Sequence, residues 1–207
     1  EALREREGKE SRTRLDIAEQ FVEPLVDYLK GDEHVERVEV AGSYRRRKET
    51  VGDLDILAIS DAGQSTIQHF VDCEDVTEIA SQGETRSTVI LRSGLQVDLR
   101  VVPRESYGAA LLYFTGSKAH NIALRNLALD RGFKVNEYGV FRTQEGDDNN
   151  DNEERVAGEK EAEIYQFFDL AYIEPELREN RGEIKAAKSS ELPELVTMDD
   201  ILGDLQT

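Results

Sequence analysis

Apolar residues in the first part of the chain recur at three- and four-residue steps: Leu15, Ala18, Phe21, Val22, Leu25, Val26 and Leu29. That spacing gathers them on one stripe of an α-helix. Pro24 falls inside the stripe and is expected to kink the helix, and Gly31 to end it. The pattern then shifts to short β-type runs: VERVEVAG (35–42), DLDILAIS (53–60), STVILRSG (87–94) and LQVDLRVV (95–102). Ser93, Gly94 and Leu95 read as the turn of a hairpin between the last two. One more helix is expected around 63–73. A helix, a twisted mixed sheet and an acid-bearing hairpin predict an α+β arrangement.

Beyond Pro103 the helical period returns over 107–114 and 118–131, with Gly132 as the stop. FKVNEYGVFRT (133–143) reads as a small hairpin, and EGDDNNDN (145–152), which lacks any apolar anchor, as a mobile loop. A helix over 159–168 and a short one after Pro175 complete a second, mostly helical unit. These patterns divide the chain into a unit over 1–105, a unit over 106–188 and a connector over 189–207. Residues 1–12 read as a charged lead-in.

Composition narrows the function classes. With 207 residues, 38% hydrophobic and 34% charged, the chain can build a modest core. No run of about 18 apolar residues is present, which excludes a helical membrane span. The N-terminus lacks an apolar signal region, and the single cysteine, Cys73, cannot form an internal disulfide; both point to the cytoplasm. The net charge of −18 is the reverse of a polyanion binder's usual balance. The acid is concentrated in 145–155 and in the C-terminal third, however. Arg45, Arg46, Arg47 and Lys48 form a local basic cluster that suits a phosphate site.

The candidate chemistry lies in three acids. Asp53 and Asp55 alternate with Leu54 and Ile56, so a strand presents both carboxylates on one face. An Asp-x-Asp pair alone is more often a solvated turn. Asp98, which alternates with Val97 and Leu99, adds a third carboxylate from another strand. Three such groups repel one another unless cations sit between them, and hard oxygen donors suit Mg²⁺ or Mn²⁺. Two ions about 4 Å apart would activate a hydroxyl and stabilise a leaving phosphate oxygen. Upstream, Gly42 allows close backbone approach to a phosphate, and Ser43 adds donors beside the arginines. As a bare pattern, Gly-Ser before basic residues is more often a turn.

GSYRRRKETVGDLDIL (42–57) resembles the nucleotidyltransferase signature in the form found in family X DNA polymerases. YFTGSKAHNIALRNLALDRGFKVNEYGVF (113–141) is similar to that family's nucleotide-binding segment, and VDLRVVP (97–103) to its third-carboxylate strand. The ending resembles the bacterial form, in which a phosphoesterase domain follows. The resemblance implies a palm over 1–105, a nucleotide-binding thumb over 106–188 and a linker towards a further domain. It also implies a DNA-directed polymerase that fills gaps in base excision repair, with dNTP and gapped or primed DNA as partners. In those terms Asp53 and Asp55 hold two metal ions, and Asp98 holds the catalytic one. Gly42, Ser43, Arg46 and Gly52 meet the phosphates, with Arg14 as a weaker candidate. Tyr113 and Phe114 lie against the sugar, Gly116 permits the bend that follows, Asn121 meets the base, and Lys118 and Arg125 face the template side.

Two positions depart from the vertebrate repair enzyme's pattern: Ile122 stands for a template-facing lysine, and Gln96 for an arginine near the third carboxylate. His34, His69 and His120 are too dispersed for a metal site and read as surface or packing residues. The family's helix-hairpin-helix region is not legible in 1–13, so flanking domains are expected. Two alternatives stand beside the polymerase: a nucleotidyltransferase with a non-DNA acceptor, and a fragment inactive without those domains.

Overall fold

The computed structural model describes residues 12–143, 154–201 and 203. The acidic stretch 145–152 lies outside the described residues. Most of the first unit is a five-stranded sheet in the order β2-β4-β7-β6-β5, formed by Val35–Val40 (β2), Asp53–Ser60 (β4), Val76–Gln82 (β5), Arg86–Leu91 (β6) and Gln96–Val101 (β7). Only the β4–β7 pair is parallel. Two short strands, Thr13–Arg14 (β1) and Thr50–Val51 (β3), pair separately.

The alternation in β4 and β7 decides which face is covered. Leu54, Ile56, Ala58, Val97, Leu99 and Val101 point to one side. There they join Ala18, Val22, Leu25 and Leu29 of α1 (Leu15–Lys30) and Ile67 and Phe70 of α3 (Gly63–Val71) in the main core. Burial of these aliphatic groups is the dominant force closing the sheet on its helices. The helix α1 runs through Pro24 without a break. On the opposite face Leu57 and Ile59 meet Tyr107, Ala110 and Leu111 of α4 (Tyr107–Thr115), which forms a smaller junction core. Asp53 and Asp55, on that same face but nearer the strand start, lie beyond this cover.

Several elements were not expected, the short strands β1 and β3 among them. The strand VERVEVAG stops at Val40, and Gly42–Arg45 turns instead into a single helical turn, α2. A fifth strand, β5, occupies a sheet edge where no strand pattern is legible. In the second unit α4 packs against α6 (Glu161–Phe167) and the hairpin β8 (Phe133–Asn136) and β9 (Gly139–Arg142), and α5 (Lys118–Leu129) packs on β8. A short strand, Arg155–Ala157 (β10), extends the hairpin to three strands. A 3₁₀ turn at Pro175–Leu177 and a final helix, α7 (Glu183–Ser189), follow.

The units are also joined by charge. Glu161, at the start of α6, takes both Nη atoms of Arg45 at 2.9 Å and Nη1 of the fully buried Arg178. Burial alone would raise the Glu161 carboxyl; the hydrogen bonds and charges of the two arginines outweigh it and hold the group at about 2. The histidines are scattered. His34 pairs with Asp61, His69 stacks on Tyr28, and His120 is buried between Glu183 and Tyr165. No helix among the described residues is long and apolar enough to cross a membrane.

Candidate active site

The parallel register of β4 and β7 sets Asp55 directly beside Asp98, and Asp53 beside Gln96. Next to this row opens a cleft of about 490 Å³ between the two units. Asp53 and Asp55 line it together with Gly42, Ser43 and Arg46 from the α2 turn. The opposite wall is built by the end of α4 and the start of α5: Tyr113, Phe114, Gly116, Lys118, Asn121 and Arg125. Lys118, Asn121 and Arg125 are spaced at three- and four-residue steps and so share one helical face. Of the residues expected from sequence, Gly52 and Asp98 do not line the cleft. Arg14 is turned away and pairs with exposed Asp16. Arg12 lines the cleft instead, fixed by bonds from Nε and Nη2 to Thr50.

Local structure explains several of these placements. Gly42 has φ +61, and a Cβ there would lie 2.7 Å from Asp55 Oδ2, so glycine lets α2 turn directly over the carboxylate. Gly116 has φ +71, ends α4 and precedes a cis peptide bond to Ser117; a Cβ would stand 3.2 Å from Arg46 Nη1. Ser117 caps α5 by accepting from the His120 N–H. Asn121 donates from Nδ2 to the Tyr113 carbonyl at 2.7 Å, while its Oδ1 is buried with no partner among the described residues. An unsatisfied buried acceptor on a cleft wall is costly unless a ligand donor meets it.

The acids differ in their electrostatics. Burial first, then the charges of Asp53 and Asp98, push the Asp55 carboxyl up to about 6. Asp98 is also raised by burial, but bonds from Thr88 Oγ1 at 2.6 Å, Gln96 Nε2 at 2.9 Å and Arg86 Nη2 at 3.3 Å bring it below the ordinary carboxylate range. Thr88 and Arg86 are on β6. Their role depends on cross-strand register, and no local motif announces it.

A model of the DNA polymerase beta palm matches residues 11–108, and one of the polymerase beta thumb matches 110–179. The DNA polymerase/3′-5′ exonuclease PolX of Bacillus subtilis is 32% identical over 207 residues, covering 99% of this chain and 35% of its own length. The chain belongs to the family X DNA polymerases. DNA polymerase lambda of Arabidopsis thaliana is 28% identical over 191 residues, 78% of this chain and 36% of its own length. The chain thus spans about a third of the length of these relatives. In this family X palm, Gln96 does what a neutral donor can: it holds Asp98 Oδ2 by one hydrogen bond without adding charge. Ile122 is 42% exposed on α5.

Family X polymerases depend on divalent metal, and the donor set fits such an ion in kind. Asp53 and Asp55 offer hard oxygens, and the raised Asp55 carboxyl marks a negative charge that a cation would relieve. Among the described residues no three His, Cys, Asp or Glu side chains stand ready around one point. Asp98 is held by Thr88 and Arg86 on Oδ1 and by Gln96 on Oδ2, and it does not line the cleft.

Proposed function

We propose that this chain is the palm (1–105) and nucleotide-binding thumb (106–188) of a template-directed DNA polymerase, with 189–207 as a linker to flanking domains. It adds a nucleotide from a dNTP to a primer 3′-hydroxyl with two Mg²⁺ or Mn²⁺ ions. Its work is gap filling in base excision repair, in the cytoplasm. The observation that carries this reading is the register pairing of Asp55 with Asp98 beside a cleft that also gathers Ser43, Arg46 and one face of α5.

Asp53 and Asp55 would hold both ions and Asp98 the catalytic one. When bound, the ions lower the pKa of the attacking hydroxyl and neutralise charge on the leaving oxygens. Ser43 and Arg46 orient the β- and γ-phosphates, with Gly42 letting the backbone approach and Arg12 adding positive charge. Tyr113 and Phe114 pack on the sugar. Asn121 presents its amide to the base edge, and Lys118 and Arg125 steady the template side. The 3′-oxygen–phosphorus bond forms as the α,β phosphoanhydride breaks, and pyrophosphate departs; most of the catalysis is positioning and charge stabilisation.

The test is Mg²⁺- or Mn²⁺-dependent extension of a gapped primer–template by this chain and by Asp98→Ala. Incorporation should follow the template and fall about 10³-fold in the variant. Incorporation that ignores the template would favour a nucleotidyltransferase with another acceptor. None at any protein concentration would mean that the segment needs its flanking domains.

A further inference from the structure

The stretch between the 3₁₀ turn at Pro175–Leu177 and α7 is tied down at both ends. Arg178 is fully buried, its Nη1 on Glu161, and its carbonyl accepts from the Ser117 N–H at 3.0 Å. At the other end the Glu183 carboxylate accepts from the N–H groups of Asn180 and Arg181, at 2.8 and 2.7 Å, and lies 2.7 Å from His120 Nδ1. Glu179 stands between these anchors, with its own N–H on the Leu177 carbonyl at 2.8 Å. Its backbone is thereby fixed, and its carboxylate reaches across to the α2 turn.

There Glu179 Oε1 takes Arg46 Nε at 2.9 Å and Lys48 Nζ at 3.3 Å. Arg46 Nη1 donates to the Thr115 carbonyl. Two corners of one guanidinium are thus held by two elements of the thumb, while Nη2 makes no hydrogen bond among the described residues. The Arg46 side chain is only 15% exposed and lines the cleft. A guanidinium held at two of its three nitrogens is oriented before any ligand arrives, which spares the ordering that a free arginine would require on binding. Lys48, on the same oxygen, offsets the negative charge that Glu179 brings towards a phosphate site.

We infer that Glu179 is a positioning residue for phosphate recognition: it holds Arg46 so that the free side of the guanidinium faces the triphosphate of the incoming nucleotide. The inference rests on the phosphate-site reading of Arg46 above. No motif near the acids points to it, because Glu179 lies 133 residues along the chain from its partner.

Calorimetric titration with inorganic triphosphate and Mg²⁺ tests it without requiring turnover. Glu179→Ala and Arg46→Ala should each weaken binding about tenfold, the loss expected for one oriented, charge-assisted contact. The double variant should be no weaker than Arg46→Ala alone, because Glu179 acts through Arg46. Glu179→Gln, which keeps an acceptor oxygen, should recover most of the loss, and thermal melts of the four variants beside the wild type control for folding. Unchanged or tighter binding by Glu179→Ala would overturn the inference, since tighter binding would make Glu179 a competitor of the phosphate. Losses that multiply in the double variant would also overturn it, as would a wild type that binds no triphosphate. The polymerase reading fails separately: a wild type that binds triphosphate through Glu179 but extends no gapped primer leaves this inference standing.

Discussion

A methyl group at position 42 would sit 2.7 Å from Asp55 Oδ2, on a backbone with φ +61. Gly42→Ala therefore strains the turn and pushes the carboxylate aside. It should cost about 1 kcal/mol of stability, read by denaturant unfolding, and reduce Mn²⁺ affinity more than tenfold, read by calorimetry. The place of Gly42 beside the acids is legible only from the spacing of Gly-Ser to the Asp-x-Asp strand, since Gly-Ser alone is more often a turn. The shared face of the three acids was legible for a different reason: a period of two assigns faces without any knowledge of the fold. Arg12 was not. It precedes the first periodic stretch, and only the pairing of β1 with β3 brings it to the cleft. Arg45 shows the converse. It reads as a phosphate candidate, yet it is turned away to Glu161 and Thr115 and serves the joint between the units.

Among the elements, α1, α3, α5, β4 and β7 were legible to within a few residues, each carrying a periodic run of aliphatic residues that the core covers. β5 escaped because nearly all of it is exposed, with Ile79 47% accessible, and its register slips twice against β6. With no buried face there is no alternation to read. α2 escaped because its single turn is set by Gly42 rather than by an apolar stripe. Contact between elements is most exacting at Gly108, where a Cβ would lie 2.2 Å from the Lys160 carbonyl carbon. Gly108→Ala must part α4 from the start of α6. It should destabilise the chain by about 1–3 kcal/mol, seen as a lower midpoint in thermal or urea unfolding. Because α4 also covers Leu57 and Ile59, the loss should appear in both units.

Over the whole molecule, two cores are joined by the small junction cluster and by the Arg45–Glu161–Arg178 triad. Breaking one member of such a group leaves an uncompensated buried charge. The pH dependence follows from Glu161, whose folded value of about 2 lies below its ordinary 4.5. A depressed carboxyl binds fewer protons folded than unfolded, so its contribution is complete above about 4.5 and is lost as pH falls towards 2. That contribution amounts to about 3 kcal/mol. The thermal midpoint of the wild type should fall steeply between about pH 4.5 and 2. Glu161→Gln should melt lower at pH 7 and lose much of that acid slope, as scanning calorimetry would show. The exposed edge of the sheet has a consequence of a different kind. A strand whose outer hydrogen-bonding groups face solvent is a template for pairing with another molecule. β5 carries Glu78, two register slips and no continuous apolar face, on a chain with a net charge of −18. Irregularity and mutual repulsion together make this edge a poor template for pairing between copies of the chain.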